Sequence, residues 1–148
     1  MALTSYHLTG PVLVGPEDVR GEMWIVDGRV SFTAPTSGEV TTVAGWVIPG
    51  LVDAHCHVGL DGRGAVDAAE AERQITMDRA HGTLLIRDAG SPSDTRWIDE
   101  RDDLPKLVRA GRHIARTRRY IRDYAEEVEP DQLADTVRAQ ARRGDGWV

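Results

Sequence analysis

The segment that decides the fold is Gly50-Leu-Val-Asp-Ala-His-Cys-His57, which continues an apolar run that begins at Val47. Side chains of an extended strand alternate between its faces, so His55 and His57 project to one side while Cys56 projects to the other. The apolar residues before the histidines indicate a buried strand that enters a core. The pattern predicts two imidazoles that share one metal ion at the end of this strand. The alternative is two histidines that only pack or form hydrogen bonds there.

Residues 1–48 predict a small β domain. The turn-forming pair Asp27-Gly28 separates Ile25-Val26 from Val30-Ser-Phe32, which is typical of a β-hairpin. Further short β-rich segments are Tyr6–Leu8, Val12–Val14, Thr41–Val43 and Trp46–Ile48.

Residues 49–148 predict alternating strands and helices. A helix over 65–80 is capped by Asp67 and ends before Gly82, and a strand over 83–87 follows it. Residues 104–111 form a shorter helical candidate, 113–115 a third strand, and 130–143 the clearest helix, with Trp147-Val148 opening another strand. The apolar face of the last helix is predicted to consist of Leu133, Ala134, Val137 and Ala141. This order favours parallel βαβ units.

Composition limits the classes of protein that this sequence can represent. The chain has 148 residues, 41% hydrophobic and 28% charged, as in a globular protein. A net charge of −6 without a basic stripe disfavours nucleic-acid binding. The single cysteine fits a reducing compartment. No signal peptide or membrane-length apolar run is evident, so we expect a cytoplasmic protein without a membrane role.

The segment from Trp46 to Leu60 resembles the first barrel strand of the amidohydrolase superfamily, the metal-dependent hydrolases built on a (β/α)8 TIM barrel. The family pattern is an apolar strand followed by Pro-Gly, two hydrophobic residues and Asp-x-His-x-His, and each element is present. A complete TIM barrel needs about 250 residues, so the resemblance implies only its first strands and helices here. It implies a small N-terminal β-sandwich domain over 1–48 and the first part of the barrel over 49–148, truncated near the fourth strand.

The resemblance implies that His55 and His57 bind a divalent metal, most suitably zinc, as one ion or two. The other family ligands, a carboxylated lysine, two histidines and an aspartate that acts as general base, would lie beyond Val148. Residues 144–148 resemble the start of the fourth strand, where the family carries that lysine. We therefore expect a lysine directly after Val148, which would make the metal centre binuclear.

Asp53 lies two residues before His55 and should face the same side. It either orients a ligand histidine or has a structural role in the floor of the barrel. Cys56 is interpreted as a small buried thiol rather than a third ligand. His81 and His113 are interpreted as structural residues, and His7 as unrelated to catalysis.

Arg87-Asp88-Ala-Gly90 resembles the Arg-Asp-x-Gly of the branch that contains imidazolonepropionases and prolidase-like peptidases. Arg87 and Asp88 either line the substrate pocket or form an ion pair that ties loops together. The branch then continues into a Gly- and His-rich loop, whereas this chain has Arg116-Thr-Arg-Arg-Tyr-Ile-Arg122. Within that stretch Arg119 and Tyr120, with Arg118 and Arg122, are candidates to bind an anionic substrate, unless the run is simply a solvated face.

The predicted function is hydrolysis of an amide, cyclic amide or related C–N or ester bond of a small-molecule substrate by a metal-activated water. Three alternatives stay open. The first is a mononuclear metal-dependent deaminase of the same superfamily, and the second is a non-catalytic amidohydrolase-like binding or assembly protein. The third is an independent β/α binding module, which the unfinished βαβ pattern argues against. A homo-oligomer is compatible with each of them.

Overall fold

The computed structural model describes residues 5–120 and 123–148. The chain divides into two compact units, Met1–Pro49 and Gly50–Val148.

The first unit is a four-stranded sheet. Its strands are β1 (Ser5–Leu13), β2 (Val19–Val26), β3 (Arg29–Ser31) and β4 (Val40–Ala44), in the order β3-β2-β1-β4. Strand β1 runs antiparallel to β2 and parallel to β4. Asp27 and Gly28 have positive φ angles of 51° and 72° between β2 and β3, which confirms the predicted hairpin. Residues 5–49 form this one sheet, so the second layer of the predicted β-sandwich is not made by the part of this unit that the structure describes.

The second unit is built around a three-stranded parallel sheet. Its elements, in chain order, are β5 (Leu51–Cys56), β6 (Leu60–Asp61), β7 (Gly64–Ala65), α1 (Ala68–Ala80), β8 (Thr83–Asp88), a 3-10 helix (Arg96–Glu100), β9 (Lys106–Arg109), β10 (Ile114–Ala115), β11 (Glu126–Glu127) and α2 (Leu133–Arg143). The sheet order is β5-β8-β9, and α1 is the crossover between the first two strands. This arrangement confirms the prediction of parallel βαβ pairing.

Helix α1 has the N-cap and the C-terminal end that the sequence predicts, but it begins at Ala68, three residues after the predicted start at 65. The side chain of Asp67 accepts a hydrogen bond from the N–H of Glu70 at 2.9 Å. Gly82 has a φ of 93° directly after the helix, a conformation that glycine adopts without strain. Among the helices of the described ranges, α1 is the longer at 13 residues, and none is long and apolar enough to cross a membrane.

The core of the second unit lies between α1 and one face of the sheet. Ile75 of α1 and Ile86 of β8 are fully buried. The other buried members of this cluster are Val58, Ala71, Ile98, Leu104 and Leu107.

The prediction of a helix over 104–111 is wrong, because residues 106–109 form strand β9. Leu107 and Arg109 are buried while Lys106 and Val108 are exposed, which is the two-residue period of a strand. Apolar residues at 104, 107 and 110 also match a helical period, and so short a segment does not separate the two periods. The predicted third strand at 113–115 is the short β10, which pairs with β11 outside the main sheet.

Two predictions of burial are also wrong for the residues described. Leu51 and Val52 of β5 are 49% and 59% exposed, although the sequence indicates a buried strand. Helix α2 buries Thr136 and Gln140 rather than Leu133, which is exposed. Gln140 is drawn inward because its side-chain oxygen accepts a hydrogen bond from the N–H of Arg112 at 2.8 Å.

The core assignment can be tested on helix α1. Ile75→Ala in the full-length protein should lower the free energy of unfolding by about 2–5 kcal/mol, because it leaves a cavity between the helix and the sheet. The exposed Arg79 on the same helix is the control, and Arg79→Ala should change it by less than about 0.5 kcal/mol. Denaturant titration measures both, and equal effects would contradict this core.

Candidate functional site

The carboxyl ends of the three parallel strands lie side by side at one edge of the sheet. Cys56 of β5 is the register partner of Asp88 of β8, which is the partner of Arg109 of β9. Residues that follow these strands therefore meet at the same edge, where the active sites of parallel α/β folds are built. His57 directly follows β5 at this edge, and His55 is the penultimate residue of β5.

The structure brings the two predicted metal ligands together. The ring centroids of His55 and His57 are 5.6 Å apart, and the ring planes are nearly perpendicular at 81°. Two imidazoles that share one ion stand at a comparable separation, because nitrogen–zinc bonds of about 2.1 Å add to the radius of each ring. The distance between the two rings is therefore in the range that a shared ion requires.

The ring of His57 is oriented by the loop after β8. Its Nδ1 lies 2.7 Å from the carbonyl oxygen of Gly90. A carbonyl oxygen only accepts hydrogen bonds, so Nδ1 carries a proton, and in the neutral ring Nε2 is then the nitrogen with the free lone pair. Metal-ligating histidines commonly donate their second N–H to a backbone carbonyl in this way.

A third imidazole, His113, lies beside this pair. Its ring centroid is 5.5 Å from that of His57, with the planes tilted by 42°. The Nε2 atom of His113 is buried and has no hydrogen-bond partner among the described residues. Burial, followed by the charges of His57 and His55, lowers the pKa of His113, which favours its neutral form.

The sequence interpretation of His113 as a structural residue did not place it at this edge. The position of His113, four residues after β9, indicates a place at this edge of the sheet. The sequence analysis misses it because it predicts a helix over residues 104–111. If this segment is interpreted as a strand, His113 follows the carboxyl end of a third strand. That end lies in the same row as the carboxyl ends of β8, which carries Asp88, and of β5, which precedes His57.

The arginine-rich stretch that begins at Arg116 places one side chain, that of Tyr120, against the group formed by His55, His57 and His113. The ring of Tyr120 stacks on that of His113 at 5.3 Å with an interplanar angle of 27°. Arg119 is exposed and its N–H closes a turn to the carbonyl of Arg116 at 3.0 Å. Arg122 lies outside the described residues. Tyr120 is thus brought to the site, whereas Arg119 as a substrate contact stays a prediction.

Asp53 contacts the backbone of the histidine strand rather than an imidazole ring. Its Oδ1 accepts a hydrogen bond from the N–H of His55 at 2.9 Å. Asp53 therefore stabilises the local backbone at His55, and its predicted role in orienting a histidine ring stays a prediction.

Arg87 and Asp88 do not form the ion pair that the sequence left open, because neighbouring strand residues face opposite sides of the sheet. Asp88 is 1% exposed, and Arg87 is exposed. The guanidinium of Arg87 lies 3.9 Å from the ring centroid of Trp147, in a cation–π contact. Substrate binding by either residue stays a prediction.

The thiol of Cys56 packs against the buried core cluster. Its pKa is raised to about 11, first by burial and then by the negative charges of Asp78 and Asp53. At neutral pH the thiol is therefore protonated, and neither nucleophile nor metal-ligand chemistry is expected of it.

The end of β9 is tied to the last residues of the chain. Arg109 is 5% exposed and forms ion pairs with Asp99 at 2.7 Å and Asp145 at 3.3 Å. The N–H of Asp145 donates to the carbonyl of Arg109 at 2.8 Å, and the N–H of Gly111 donates to the carbonyl of Trp147 at 3.1 Å. Residues 145–147 thus lie alongside the carboxyl end of β9.

The histidine pair does not complete a metal centre by itself. Across residues 5–120 and 123–148, no three side chains of the types His, Cys, Asp and Glu are placed to hold one ion. A catalytic zinc site takes about three protein ligands and an open position. Further ligands would be required to complete the site.

Comparisons with known proteins give a fold and a set of relatives. No family model matches the chain. Uncharacterized proteins of Mycobacterium bovis and of two Mycobacterium tuberculosis strains are 53% identical to it over 135 residues, which is 90% of this chain and 36% of each relative. The chain therefore spans about a third of the length of the curated relatives that it matches.

Solved hydrolase structures share the fold over part of their length. A prolidase complexed with N-methylphosphonate-L-proline matches with a TM-score of 0.64 and 17% identity, over 95% of this chain and 44% of that one. A prolidase candidate from Bifidobacterium longum matches with a TM-score of 0.69 and 18% identity, over 97% and 40%. An N-acetyl-D-glucosamine-6-phosphate deacetylase from Mycobacterium smegmatis matches with a TM-score of 0.54 and 17% identity, over 99% and 45%. At these identities the likeness shows a common mixed α/β fold.

The contact between Arg87 and Trp147 can be tested with a double-mutant cycle in the full-length protein. Arg87→Met, Trp147→Leu and their combination should show a coupling of about 0.5–1 kcal/mol in the free energy of unfolding, as expected for an accessible cation–π pair. A coupling of zero would mean that this contact contributes nothing, and would leave Arg87 free for another partner.

Proposed function

We propose that this chain forms the first part of a metal-dependent hydrolase that cleaves an amide, a cyclic amide or a related C–N or ester bond. The observation that carries the proposal is the meeting of His55 and His57 at the carboxyl edge of a parallel sheet, with rings 5.6 Å apart. Imidazole pairs at this edge are suited to zinc and related divalent ions.

The histidines and Tyr120 have separate roles in this proposal. His55 and His57 would hold the ion, the latter through Nε2, since its Nδ1 is bonded to Gly90. When bound, the metal supplies activation of a water and polarisation of the substrate carbonyl. His113, neutral and with an unpartnered buried Nε2 among the described residues, offers a hydrogen bond to a substrate oxygen. Tyr120 stacks on that ring and restrains its orientation.

Two features support a larger (β/α)8 barrel around this site. Val52 of β5 and Leu85 of β8 are register partners, and both are exposed. Val108 of β9 is exposed as well. An apolar sheet surface of this kind is expected to be covered in the native protein. Residues 145–147 lie beside β9, where a fourth parallel strand would begin.

The solved structures support the choice of reaction. The similar proteins include a prolidase and a deacetylase, and both enzyme types hydrolyse a C–N bond of amide character. We extend that reaction class to this chain and propose dipeptides, N-acyl amino acids and small lactams as the substrates to screen with the full-length protein.

The proposed metal site predicts that replacing either histidine removes both the bound metal and the hydrolytic activity. In the full-length protein, His55→Ala and His57→Ala should each remove stoichiometric zinc and abolish hydrolysis of whichever substrate in the screen is cleaved, because a site that lacks one ligand no longer holds the ion. Metal content is measured by mass spectrometry after dialysis against a weak chelator.

The control for this experiment is His81→Gln, since His81 bonds only locally to the carbonyl of Met77 at 2.8 Å. That variant should keep its metal and its activity. Active wild-type protein without a stoichiometric transition metal would contradict the proposed mechanism.

The barrel proposal predicts that the exposed sheet surface is covered in the full-length protein. A cysteine introduced as Leu85→Cys, in a Cys56→Ala background, should react with a maleimide at least tenfold more slowly than one introduced as Arg63→Cys. Arg63 is a suitable reference because its side chain is 92% exposed. Equal reaction rates would argue against a strand or barrel wall over this surface.

A further inference from the structure

The orientation of the His57 ring depends on one backbone carbonyl, that of Gly90. The hydrogen bond of 2.7 Å from Nδ1 to this oxygen places the proton on Nδ1 and leaves Nε2 as the ligand atom. In free histidine the opposite tautomer is preferred, so the protein must hold the carbonyl in place. Whatever fixes Gly90 therefore decides which nitrogen of His57 faces the ion.

Gly90 is fixed by the buried carboxylate of Asp88. Oδ1 of Asp88 accepts a hydrogen bond from the N–H of Gly90 at 2.9 Å. Asp88 is also the register partner of Cys56, the residue directly before His57, and the N–H of Ala89 donates to the carbonyl of Cys56 at 2.8 Å. The strand end that carries the carboxylate is thus joined both to the loop that carries the carbonyl and to the backbone that carries the imidazole.

The backbone conformation at Gly90 leaves the loop little freedom. Its φ is 110°, where residues with a side chain are strained. A Cβ atom added there would lie 2.6 Å from the carbonyl oxygen of Gly111 and 3.6 Å from Cδ2 of His113. The loop therefore packs closely against the segment after β9, and this packing restricts the position of its carbonyl.

We infer that Asp88 is a positioning residue for His57, which it orients through the backbone of Gly90. Asp88 is 1% exposed and its side chain accepts a hydrogen bond from the backbone of Gly90, so this role is exerted through the protein backbone. The role of His57 as a ligand rests on the proposed function, but the tautomer set by Asp88 does not.

The test uses the full-length protein and two readouts. In metal-free protein, ¹⁵N spectra of labelled histidine, assigned with His57→Gln, should show His57 protonated on Nδ1. In Asp88→Ala the ring should shift toward the Nε2-protonated form. Zinc affinity, measured by competition with a chromophoric chelator, should fall about 10–100-fold, the usual effect of losing an outer partner of a ligand histidine.

Two variants separate positioning from general structure. Asp88→Asn keeps one carbonyl oxygen where the carboxylate offers two, so it should show an intermediate tautomer shift and a smaller loss of affinity. Asp94→Ala is the matched control, because Asp94 accepts a hydrogen bond from the N–H two residues on, that of Arg96 at 3.0 Å, but is exposed. It should leave both readouts unchanged.

Each outcome decides the inference. A folded Asp88→Ala with the wild-type tautomer overturns it. If that variant does not fold, Asp88→Asn decides, and a wild-type tautomer with wild-type zinc affinity in Asp88→Asn overturns it. If wild-type protein binds no zinc while the tautomer still shifts on mutation, the positioning role stands and the proposed function fails.

Discussion

Hydrogen bonding between the three parallel strands is the constraint on which the site depends. The register that pairs Cys56 with Asp88, and Asp88 with Arg109, sets three carboxyl ends in one row. Parallel strands are joined by crossover connections, so all three strands end at the same edge of the sheet. The segment that follows each strand therefore begins at that edge. His57, Gly90 and His113 come from three separate connections and meet for this reason.

Burial decides which polar groups at that edge have fixed positions. Asp88 and Arg109 are almost fully buried. Asp88 accepts a hydrogen bond from the N–H of Gly90, and Arg109 forms ion pairs with Asp99 and Asp145. A buried charge without such partners would cost several kcal/mol, so these contacts restrict the loops to one arrangement. The outward-facing groups, among them His55, Arg87 and Tyr120, are less restrained and are the ones available to a ligand or to added structure.

The two faces of the sheet differ in a way that bears on the proposed function. The face under α1 is closed by Ile75, Ile86 and Ile98. The opposite face leaves Val52 and Leu85 exposed in register. In a (β/α)8 barrel that second face points inward and the histidines stand at the mouth. The proposed barrel thus accounts for the exposed apolar face and for the location of the imidazole pair together.

Local patterns in the sequence were sufficient where the physics is local. The hairpin at Asp27-Gly28 and the cap at Asp67 each depend on neighbouring residues, and both predictions are confirmed. The prediction of a helix over residues 104–111 is wrong because apolar spacing over four to six residues fits the helical period and the strand period equally well. Only the hydrogen bonding with β8 selects the strand.

The sequence alone determined the parallel βαβ order and the pair of histidines at the end of one strand, because backbone geometry and hydrophobic period act over a few residues. The tertiary structure decided that His113 joins them and that Gly90 orients His57. Those outcomes depend on strand register, and register is a property of residues 30 to 60 positions apart that no local pattern encodes.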